Sequence, residues 1–304
     1  MTLCCIGCDS ARLRCVGPLP VFTPDFLGSE GDSQVTASSL YECLDCGLRF
    51  RYPTPTEEQL TAYYGHLPSD ELWQHGPDRE VWREIRRVIQ RSPDRSILDV
   101  GCFRGDLLDY LGKEWERFGV ELSDEARLVA ESRGITILAN SIESLETDGQ
   151  KFGSITLIDV IEHLLRPMEA LRKLFVRLQP GGHLVVFTGN TDAWSWRFAG
   201  LNYWYSGMPE HIAFFSPRWF QWAAPRLNCR VSAIRFLRYQ PASFVTRVDE
   251  TLKNFAYVGY RRFESLAGSA NLLSRLPVIN RIGSWDSCWW TSARDHILVV
   301  LTKE

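Results

Sequence analysis

The sequence lacks two features that would place it in a specialised class: a long apolar run and an excess of basic residues. None of its apolar runs reaches the ~18 to 20 residues that a membrane-spanning helix needs. The net charge of -3 and the pI of about 6.1 argue against a dedicated nucleic-acid-binding protein. The length of 304 residues, with 45% hydrophobic and 23% charged residues, is instead sufficient for one large globular domain and a small one.

The sequence also lacks signs of export and of a disulfide framework. Its first residues, MTLCCIGCDS, contain neither the basic segment nor the apolar segment of a secretory signal. The nine cysteines are an odd number, which does not favour complete pairing into disulfides. Together these features predict a cytoplasmic protein with reduced thiols.

Four cysteines form two C-x-x-C pairs, Cys5 with Cys8 and Cys43 with Cys46. Four thiolates complete the tetrahedral shell of a zinc ion and leave no position for water, so the sequence predicts a structural zinc site. Cys4 is an alternative to Cys5. The loop between the pairs is longer than in a compact zinc ribbon, and the competing interpretation is that these cysteines bind no metal.

A linker and a helix separate the cysteine pairs from the rest of the chain. The prolines of RYPTPTEEQL predict a linker, and Thr56 is expected to cap a helix that follows it. Apolar residues at helical spacing predict a second helix near residues 78–91. We therefore expect a zinc-binding module at 1–70, a linker helix at 71–95 and the main domain at 96–304.

From residue 96 onwards, short apolar runs alternate with amphipathic ones. SILDV, RFGVEL, ITILA, SITLID and HLVVFT are predicted strands, and helical patterns lie between them. This alternation predicts an α/β fold with a mostly parallel, Rossmann-like sheet covered by helices on both faces. RVSAIRFLRY and DHILVVLTK are expected to form an antiparallel pair at one edge. In such sheets, ligands bind beyond the carboxyl ends of the strands.

The loop after the first of these strands, VGCFRG, carries the features of an adenosine-binding site. Gly101 and Gly105 allow close approach of the backbone to a ligand. Glu121 follows 20 residues after Gly101, where a carboxylate accepts hydrogen bonds from ribose hydroxyls. However, Phe103 and Asp106 occupy positions where a dinucleotide fingerprint needs glycine.

A ligand without phosphate fits this loop better than a dinucleotide does. A carboxylate beside a pyrophosphate would be repulsive, and the P-loop pattern G-x-x-x-x-G-K-[ST] is absent from the sequence. S-adenosylmethionine has a ribose and an amino-acid tail but no phosphate. The side chain of Asp99 would favour its ammonium group.

Several segments resemble class I S-adenosylmethionine-dependent methyltransferases. ILDVGCFRG resembles their first motif, GVELSDEA their second-strand motif, FGSITLIDVIEHLLRP their fourth-strand segment and LQPGGHLVVFT their fifth strand. YECLDCGLRFRYPTPTEEQLTAYY resembles the cysteine-rich leader of one branch of these enzymes, and PEHIAFFSP resembles a later segment of that branch. The resemblance covers most of residues 1–222 in order and implies a methyltransferase fold.

The resemblance also implies residue roles. The implied cofactor-binding residues are Asp99, Gly101, Cys102, Gly105, Glu121, Ser141 and Asp159. The glycine loop would line the methionine end, Glu121 would hold the ribose and Asp159 would lie under the cofactor. Ser141 matches a position near the adenine that often holds an acid. Phe103 replaces a common glycine of the family.

Two histidines are candidates for the general base in methyl transfer. His163 follows the fourth predicted strand, and His211 lies in a segment where class I enzymes place groups that face the substrate. Histidine titrates near neutral pH and can take a proton from the acceptor. The alternative for each is a structural histidine bonded to the backbone. His211 is the stronger candidate.

The sequence therefore predicts a methyltransferase that acts on a small-molecule or saccharide acceptor, with oxygen as the favoured methylation site and carbon left open. An RNA methyltransferase that uses the zinc module to bind RNA is one alternative. An inactive, zinc-stabilised interaction protein is another. The insertion at about 241–294 has helical periodicity and is favoured as a helical cap, with a substrate lid, a dimer contact and peripheral membrane contact as the other interpretations.

Overall fold

The computed structural model describes residues 3–20, 37–56, 59, 79–267 and 290–304. Its strands are β1 (Leu13–Pro18), β2 (Ser39–Cys43), β3 (Arg49–Tyr52), β4 (Ser96–Val100), β5 (Glu116–Val120), β6 (Thr136–Ala139), β7 (Phe152–Ile158), β8 (Leu178–Gly189), β9 (Ala213–Phe214), β10 (Cys229–Leu237) and β11 (His296–Lys303). Its α-helices are α1 (Glu80–Ile89), α2 (Asp106–Leu111), α3 (Asp124–Ser132), α4 (Pro167–Val176), α5 (Trp194–Ala199), α6 (Trp204–Gly207), α7 (Pro217–Ala223) and α8 (Phe244–Ala267). Short 3₁₀ helices cover Ile161–His163, Gly200–Asn202 and Ala224–Leu227.

The larger sheet has seven strands in the order β10-β11-β8-β7-β4-β5-β6. Strands β4 to β8 are mutually parallel, and β11 runs antiparallel to both β8 and β10. The predicted mostly parallel Rossmann-like sheet and its antiparallel edge pair are confirmed. Within that pair, the reversed strand β11 is the inner one.

Burial explains why the central strands consist of continuous apolar runs. All five residues of β4 are buried, and so are six of the seven residues of β7. Helices on both faces remove the polar alternation of a half-exposed strand. Local signals set the helix starts: the Ser123 hydroxyl accepts from the Ala126 amide at 3.3 Å, and Pro167 opens α4.

The parallel strands bring chemically important residues to one edge of the sheet. Gly101, Glu121 and Asp159 directly follow β4, β5 and β7. Because β11 is reversed, it begins at this same edge, where His296 pairs with Gly189 of β8. The carboxyl edge of the sheet is therefore the expected position of a ligand site.

The smaller sheet joins the cysteine region to the main domain. Its strand order is β1-β2-β3-β9, and the register pairs Arg49 with Phe214 and Phe50 with Ala213. Leu48 and Phe50 belong to the same buried apolar cluster as Trp219 of α7. The module predicted for 1–70 thus shares a sheet and a core with the domain predicted for 96–304.

Other predicted elements lie partly outside the described residues. The Thr56 hydroxyl accepts from the Gln59 amide at 3.2 Å and Gln59 Oε1 from the Thr56 amide at 2.9 Å, which is a capping box, but the helix predicted after it is not described. In the predicted insertion, α8 is a 24-residue helix, and residues 268–289 are not described. Among the described helices, none combines the length and apolarity needed to span a membrane.

Candidate cofactor and acceptor site

The loop between β4 and α2 is built around positive backbone φ angles. Gly101 has φ 72°, Phe103 47° and Gly105 81°. A Cβ on Gly101 would lie 2.6 Å from Val160 Cγ2, and one on Gly105 would lie 2.1 Å from Ile135 Cδ1. Glycine is therefore required at two of these positions for both conformation and space. Phe103 adopts a left-handed conformation that costs a non-glycine residue free energy.

Glu121 fastens this loop to the end of β5. Its Oε2 accepts from the Phe103 amide at 2.8 Å and its Oε1 from the Ser123 amide at 2.9 Å. Burial raises the pKa of Glu121, while the backbone amides oppose that shift. A carboxylate offers about four acceptor positions, so capacity remains for ribose hydroxyls.

Asp99 and Cys102 are buried beneath the loop. Asp99 Oδ1 accepts from the Thr156 hydroxyl at 2.6 Å, on the neighbouring strand β7. Burial raises the pKa of Asp99 to about 7, and the nearby Glu121 charge adds to that shift. The Cys102 side chain lies against Gly119 of β5, where a Cβ would be 2.5 Å from its sulfur.

Ser141 and Asp159 follow the ends of β6 and β7. The Ser141 hydroxyl accepts from the Ser144 amide at 3.2 Å and so closes a local turn. Asp159 Oδ2 accepts from Arg79 at 3.3 Å, whereas its Oδ1 is buried and has no hydrogen-bond partner in the described part of the chain. A buried carboxylate oxygen without a donor at the carboxyl edge can accept a hydrogen bond from a ligand.

The two candidate bases, His163 and His211, lie side by side with their ring centroids 5.0 Å apart. His163 Nδ1 bonds to the Glu210 carbonyl at 3.0 Å, and His211 Nδ1 bonds to the Tyr205 carbonyl at 2.8 Å. Since a carbonyl only accepts, each Nδ1 carries the proton and each Nε2 keeps its lone pair. Burial lowers the pKa of both rings, and each is neutral at pH 7.

A buried carboxylate lies against this histidine pair. The Tyr205 hydroxyl donates to one Glu162 oxygen and the Thr188 hydroxyl donates to the other at 3.1 Å. Burial raises the pKa of Glu162 to about 7, and the charge of Asp159 adds to that shift. Glu162 and the two histidines each place a nitrogen or oxygen within 4.8 Å of the others. Glu162 and the two candidate bases thus form a compact polar cluster.

The four predicted zinc ligands are brought together in the cysteine module. Cys5 Sγ lies 3.6 Å from Cys46 Sγ, Cys8 Sγ lies 3.5 Å from Cys43 Sγ, and all four sulfurs lie within 4.8 Å of one another. Tetrahedral thiolates at about 2.3 Å from zinc are about 3.8 Å apart, so the cluster has the size of a zinc site. The hydrogen bond with Cys46 lowers the pKa of Cys5 to about 6. Cys4 is exposed and is not among the four.

Family comparison agrees with the geometry of the sheet edge. A family model described as "Methyltransferase domain" matches residues 73–234, which is just over half of the chain. The chain belongs to this methyltransferase family. The predicted class I methyltransferase fold and family are therefore confirmed.

Curated proteins similar to this chain include ubiquinone biosynthesis O-methyltransferases. The one from Serratia proteamaculans is 28% identical over 150 residues, covering 44% of this chain and 62% of that protein. The mitochondrial one from Saccharomyces cerevisiae is 32% identical over 128 residues, covering 39% and 41%. The matched region thus spans about half the length of these relatives. Among solved structures, a SAM-dependent methyltransferase from Archaeoglobus fulgidus is 17% identical, with 82% of this chain and 100% of that one covered and a TM-score of 0.48.

Sequence reasoning missed three buried residues near the candidate site. Arg79 precedes α1 and reaches Asp159, and Arg51 of β3 reaches the segment before β9. His296 Nδ1 bonds to Asp295 at 2.8 Å, and its Nε2 is buried with no hydrogen-bond partner in the described part. The signal for the last pair was an acid and a histidine at the start of DHILVVLTK. Only the reversed direction of β11 shows that this start lies at the ligand edge.

Proposed function

We propose that the protein transfers a methyl group from S-adenosylmethionine to an oxygen of a small-molecule or saccharide acceptor. The observation that carries this proposal is a shared edge: the Glu121-bound glycine loop follows β4, and His163, whose ring packs against that of the neutral His211, follows the neighbouring strand β7. The first group has the features of an adenosine site, and the second can accept a proton.

The residues present fit S-adenosylmethionine as cofactor. Glu121 would accept from the ribose hydroxyls, the glycine loop and Asp99 would border the methionine end, Ser141 would lie near the adenine and Asp159 would lie below the cofactor. S-adenosylmethionine supplies an electrophilic methyl group when bound. We assign no separate role to Cys102 beyond supporting the loop from beneath.

In the proposed reaction, His211 Nε2 takes the proton of the acceptor hydroxyl. Bound S-adenosylmethionine would supply the methyl group to this oxygen, whose lone pair would form the C–O bond as the C–S bond breaks, with a neutral thioether as the second product. The Nδ1–H bond to the Tyr205 carbonyl at 2.8 Å fixes the tautomer that leaves Nε2 able to accept. His163 packs against the ring of His211 and is the second candidate for the same role.

Oxygen is favoured over nitrogen or carbon because the curated relatives are named O-methyltransferases. The names also support a small-molecule acceptor. The alternative of RNA has little electrostatic support in the described part of the cysteine module. There, the Arg12 guanidinium pairs with Asp45 at 2.6 Å, those of Arg14 and Arg49 contact Glu42, and Arg51 is buried. These arginines do not form a basic face for a phosphate backbone.

The proposal extends to the cysteine module and to the location of the protein. Cys5, Cys8, Cys43 and Cys46 would hold a structural zinc ion, because the donor set and its size fit tetrahedral thiolate coordination. Such thiolates need a reducing compartment, which favours the cytoplasm.

On α8, the exposed apolar side chains Phe244, Val245 and Leu252 would allow peripheral contact with a membrane surface.

The function is tested with tritium-labelled S-adenosylmethionine and two acceptor panels, one of phenols and catechols and one of monosaccharides. We expect label in a hydroxyl acceptor, with turnover about 100-fold lower in His211→Gln. His183→Gln is the matched control, since His183 lies in β8 and bonds to Thr302 at 3.1 Å, away from the ligand edge. Because burial lowers the pKa of His211, wild-type turnover should persist as the pH falls below 6.5.

Two outcomes would contradict the proposal. One is a folded protein that transfers no label to any member of either panel. The other is equal loss of turnover in His211→Gln and His183→Gln, which would remove the case for a specific base.

A further inference from the structure

Arg51 is a buried arginine that belongs to the cysteine module but contacts the acceptor side. It lies on β3 and is only 3% exposed. Its Nη2 donates to the carbonyl oxygens of Ser206 and Met208, both at 2.9 Å, and its Nε donates to the carbonyl of His211 at 3.1 Å. Its Nη1 donates to the Ser38 hydroxyl at 2.8 Å. A single guanidinium thus binds three carbonyls of one six-residue segment.

The backbone of Arg51 binds Ile212, the residue that follows His211 in the chain. The Arg51 amide donates to the Ile212 carbonyl at 2.9 Å, and β3 then pairs with β9. On its other side, the Ile212 amide donates to the Glu162 carbonyl at 2.8 Å. The segment that carries His211 is therefore held between the cysteine module and the polar cluster at the end of β7.

The ring of His211 has little freedom once these carbonyls are fixed. Its Nδ1 bonds to the Tyr205 carbonyl at 2.8 Å, and its centroid lies 4.1 Å from that of the Tyr205 ring. The Ser206 carbonyl, which Arg51 binds, belongs to the next residue along the chain. Displacing residues 206–211 would move the imidazole and the carbonyl that sets its tautomer together.

The positive charge of Arg51 favours the neutral form of the same His211 ring that its hydrogen bonds hold in place. Burial lowers the pKa of Arg51 to about 10, so the guanidinium is charged at pH 7. The pKa of His211 is lowered by burial first, then by His163 and also by Arg51. A neutral His211 is the form that can accept a proton.

Lysine cannot reproduce this arrangement. The planar guanidinium presents five donors in a rigid fork, whereas an ammonium group is compact and more strongly hydrated. The contacts of Arg51 need donors in several fixed directions within a buried space, since one side chain serves three carbonyls and a hydroxyl. Replacing Arg51 by lysine keeps the positive charge but removes most of the hydrogen bonds that the guanidinium group donates.

We propose that Arg51 is a positioning residue for His211, so that the cysteine module forms part of the acceptor-site scaffold. The proposal deepens the proposed function, on which the role of His211 as base depends. A merely structural role for Arg51 would change stability without changing the environment of the His211 ring. That difference can be measured without knowing the acceptor.

The test uses the full chain, purified with its metal and labelled with ¹³C at the C2 carbon of histidine. The six histidines give a small set of ring signals, and His211→Gln assigns the one of interest. Its chemical shift and pH titration are compared in wild type, Arg51→Lys and Arg51→Gln. Arg14→Gln is the matched control, because Arg14 lies on β1 of the same module and its side chain is 63% exposed. Affinity for S-adenosylhomocysteine is measured in every variant.

We expect the His211 signal to move in both Arg51 variants and to stay in place in Arg14→Gln. Its titration should shift to higher pH in Arg51→Gln, which loses the positive charge, and less in Arg51→Lys. Affinity for S-adenosylhomocysteine should stay within about twofold, while turnover with a panel acceptor should fall at least about tenfold in Arg51→Gln.

An unchanged His211 signal in folded Arg51→Gln would overturn the proposal. If that variant does not fold, an unchanged signal in Arg51→Lys would do so, and failure of both to fold would reduce Arg51 to a stabilising residue. Failure of the proposed function looks different, since wild-type protein would then transfer no label to any member of the acceptor panels, whatever the His211 signal shows.

Discussion

At the scale of single residues, Asp99 makes the free energy of unfolding depend on pH. Its carboxyl group is 4% exposed, and burial raises its pKa from 3.8 to about 7. Above pH 4 the unfolded chain has released this proton, while the folded protein keeps it until the pH passes about 7. The contribution of Asp99 to the free energy of unfolding is therefore present at low pH and lost as the pH rises through about 7.

We predict that Asp99→Asn gains stability relative to wild type as the pH is raised from 5 to 8. An amide stays neutral and can still accept from Thr156, so the difference in unfolding free energy should change by roughly 2–4 kcal/mol. Urea denaturation at the two pH values measures it. Asp192→Asn, at an exposed position, is the control and should show no such change. A pH-independent difference for Asp99→Asn would show that this carboxyl group does not titrate as described.

Gly105 shows how one residue can serve both packing and conformation. Its φ is 81°, and an added Cβ would meet Ile135 Cδ1 at 2.1 Å. Gly105→Ala should destabilise the protein by about 2 kcal/mol or more and weaken binding of S-adenosylhomocysteine. Gly259→Ala is the control, because Gly259 lies in α8 and, its own helix backbone aside, no heavy atom of the described residues is within 4 Å of an added Cβ, so this variant should gain about 0.5–1 kcal/mol. Equal thermal shifts in the two variants would contradict this account of the loop.

At the scale of elements, the cysteine module depends on two turns that face each other. Gly47, with φ 78°, closes the second turn, and the Gly7 amide donates to Cys5 Sγ at 3.4 Å in the first. We predict one zinc ion per chain by elemental analysis, lost in Cys43→Ser and kept in Cys15→Ser, whose cysteine is exposed and outside the cluster. Retention of zinc in Cys43→Ser would contradict this ligand set.

The elements also show what sequence reasoning can and cannot reach. Strands β4, β7 and the second half of β8 were predictable because burial on both faces selects largely apolar runs. The position of Glu121 at the end of β5, beside the glycine loop, was predictable from its spacing to Gly101, whereas its role toward a ribose stays a prediction. The two-residue strand β9 was not, because it has no periodicity of its own and is defined by pairing with β3. Arg51 was missed for the same reason, since its partners are carbonyls distant in sequence.

At the scale of the whole molecule, one apolar cluster runs from the cysteine module through the main sheet. Cys5 and Phe50 belong to it together with Leu98 of β4 and Ile297 of β11. The position of the polar residues at the carboxyl edge therefore depends on packing that extends from the cysteine module to the main sheet. The direction of β11, which brings His296 to that edge, is a property of the assembled sheet and of no local pattern.

The central claim is that the carboxyl edge of the sheet binds S-adenosylmethionine through Glu121. Calorimetric titration of the zinc-loaded protein with S-adenosylhomocysteine tests it most directly, with Glu121→Ala as the variant and Glu131→Ala, exposed near the end of α3, as the control. We predict micromolar binding that weakens at least about tenfold in Glu121→Ala, or about 1.4 kcal/mol, and is unchanged in Glu131→Ala. Absence of binding to well-folded wild-type protein would contradict the claim and favour an inactive interaction protein.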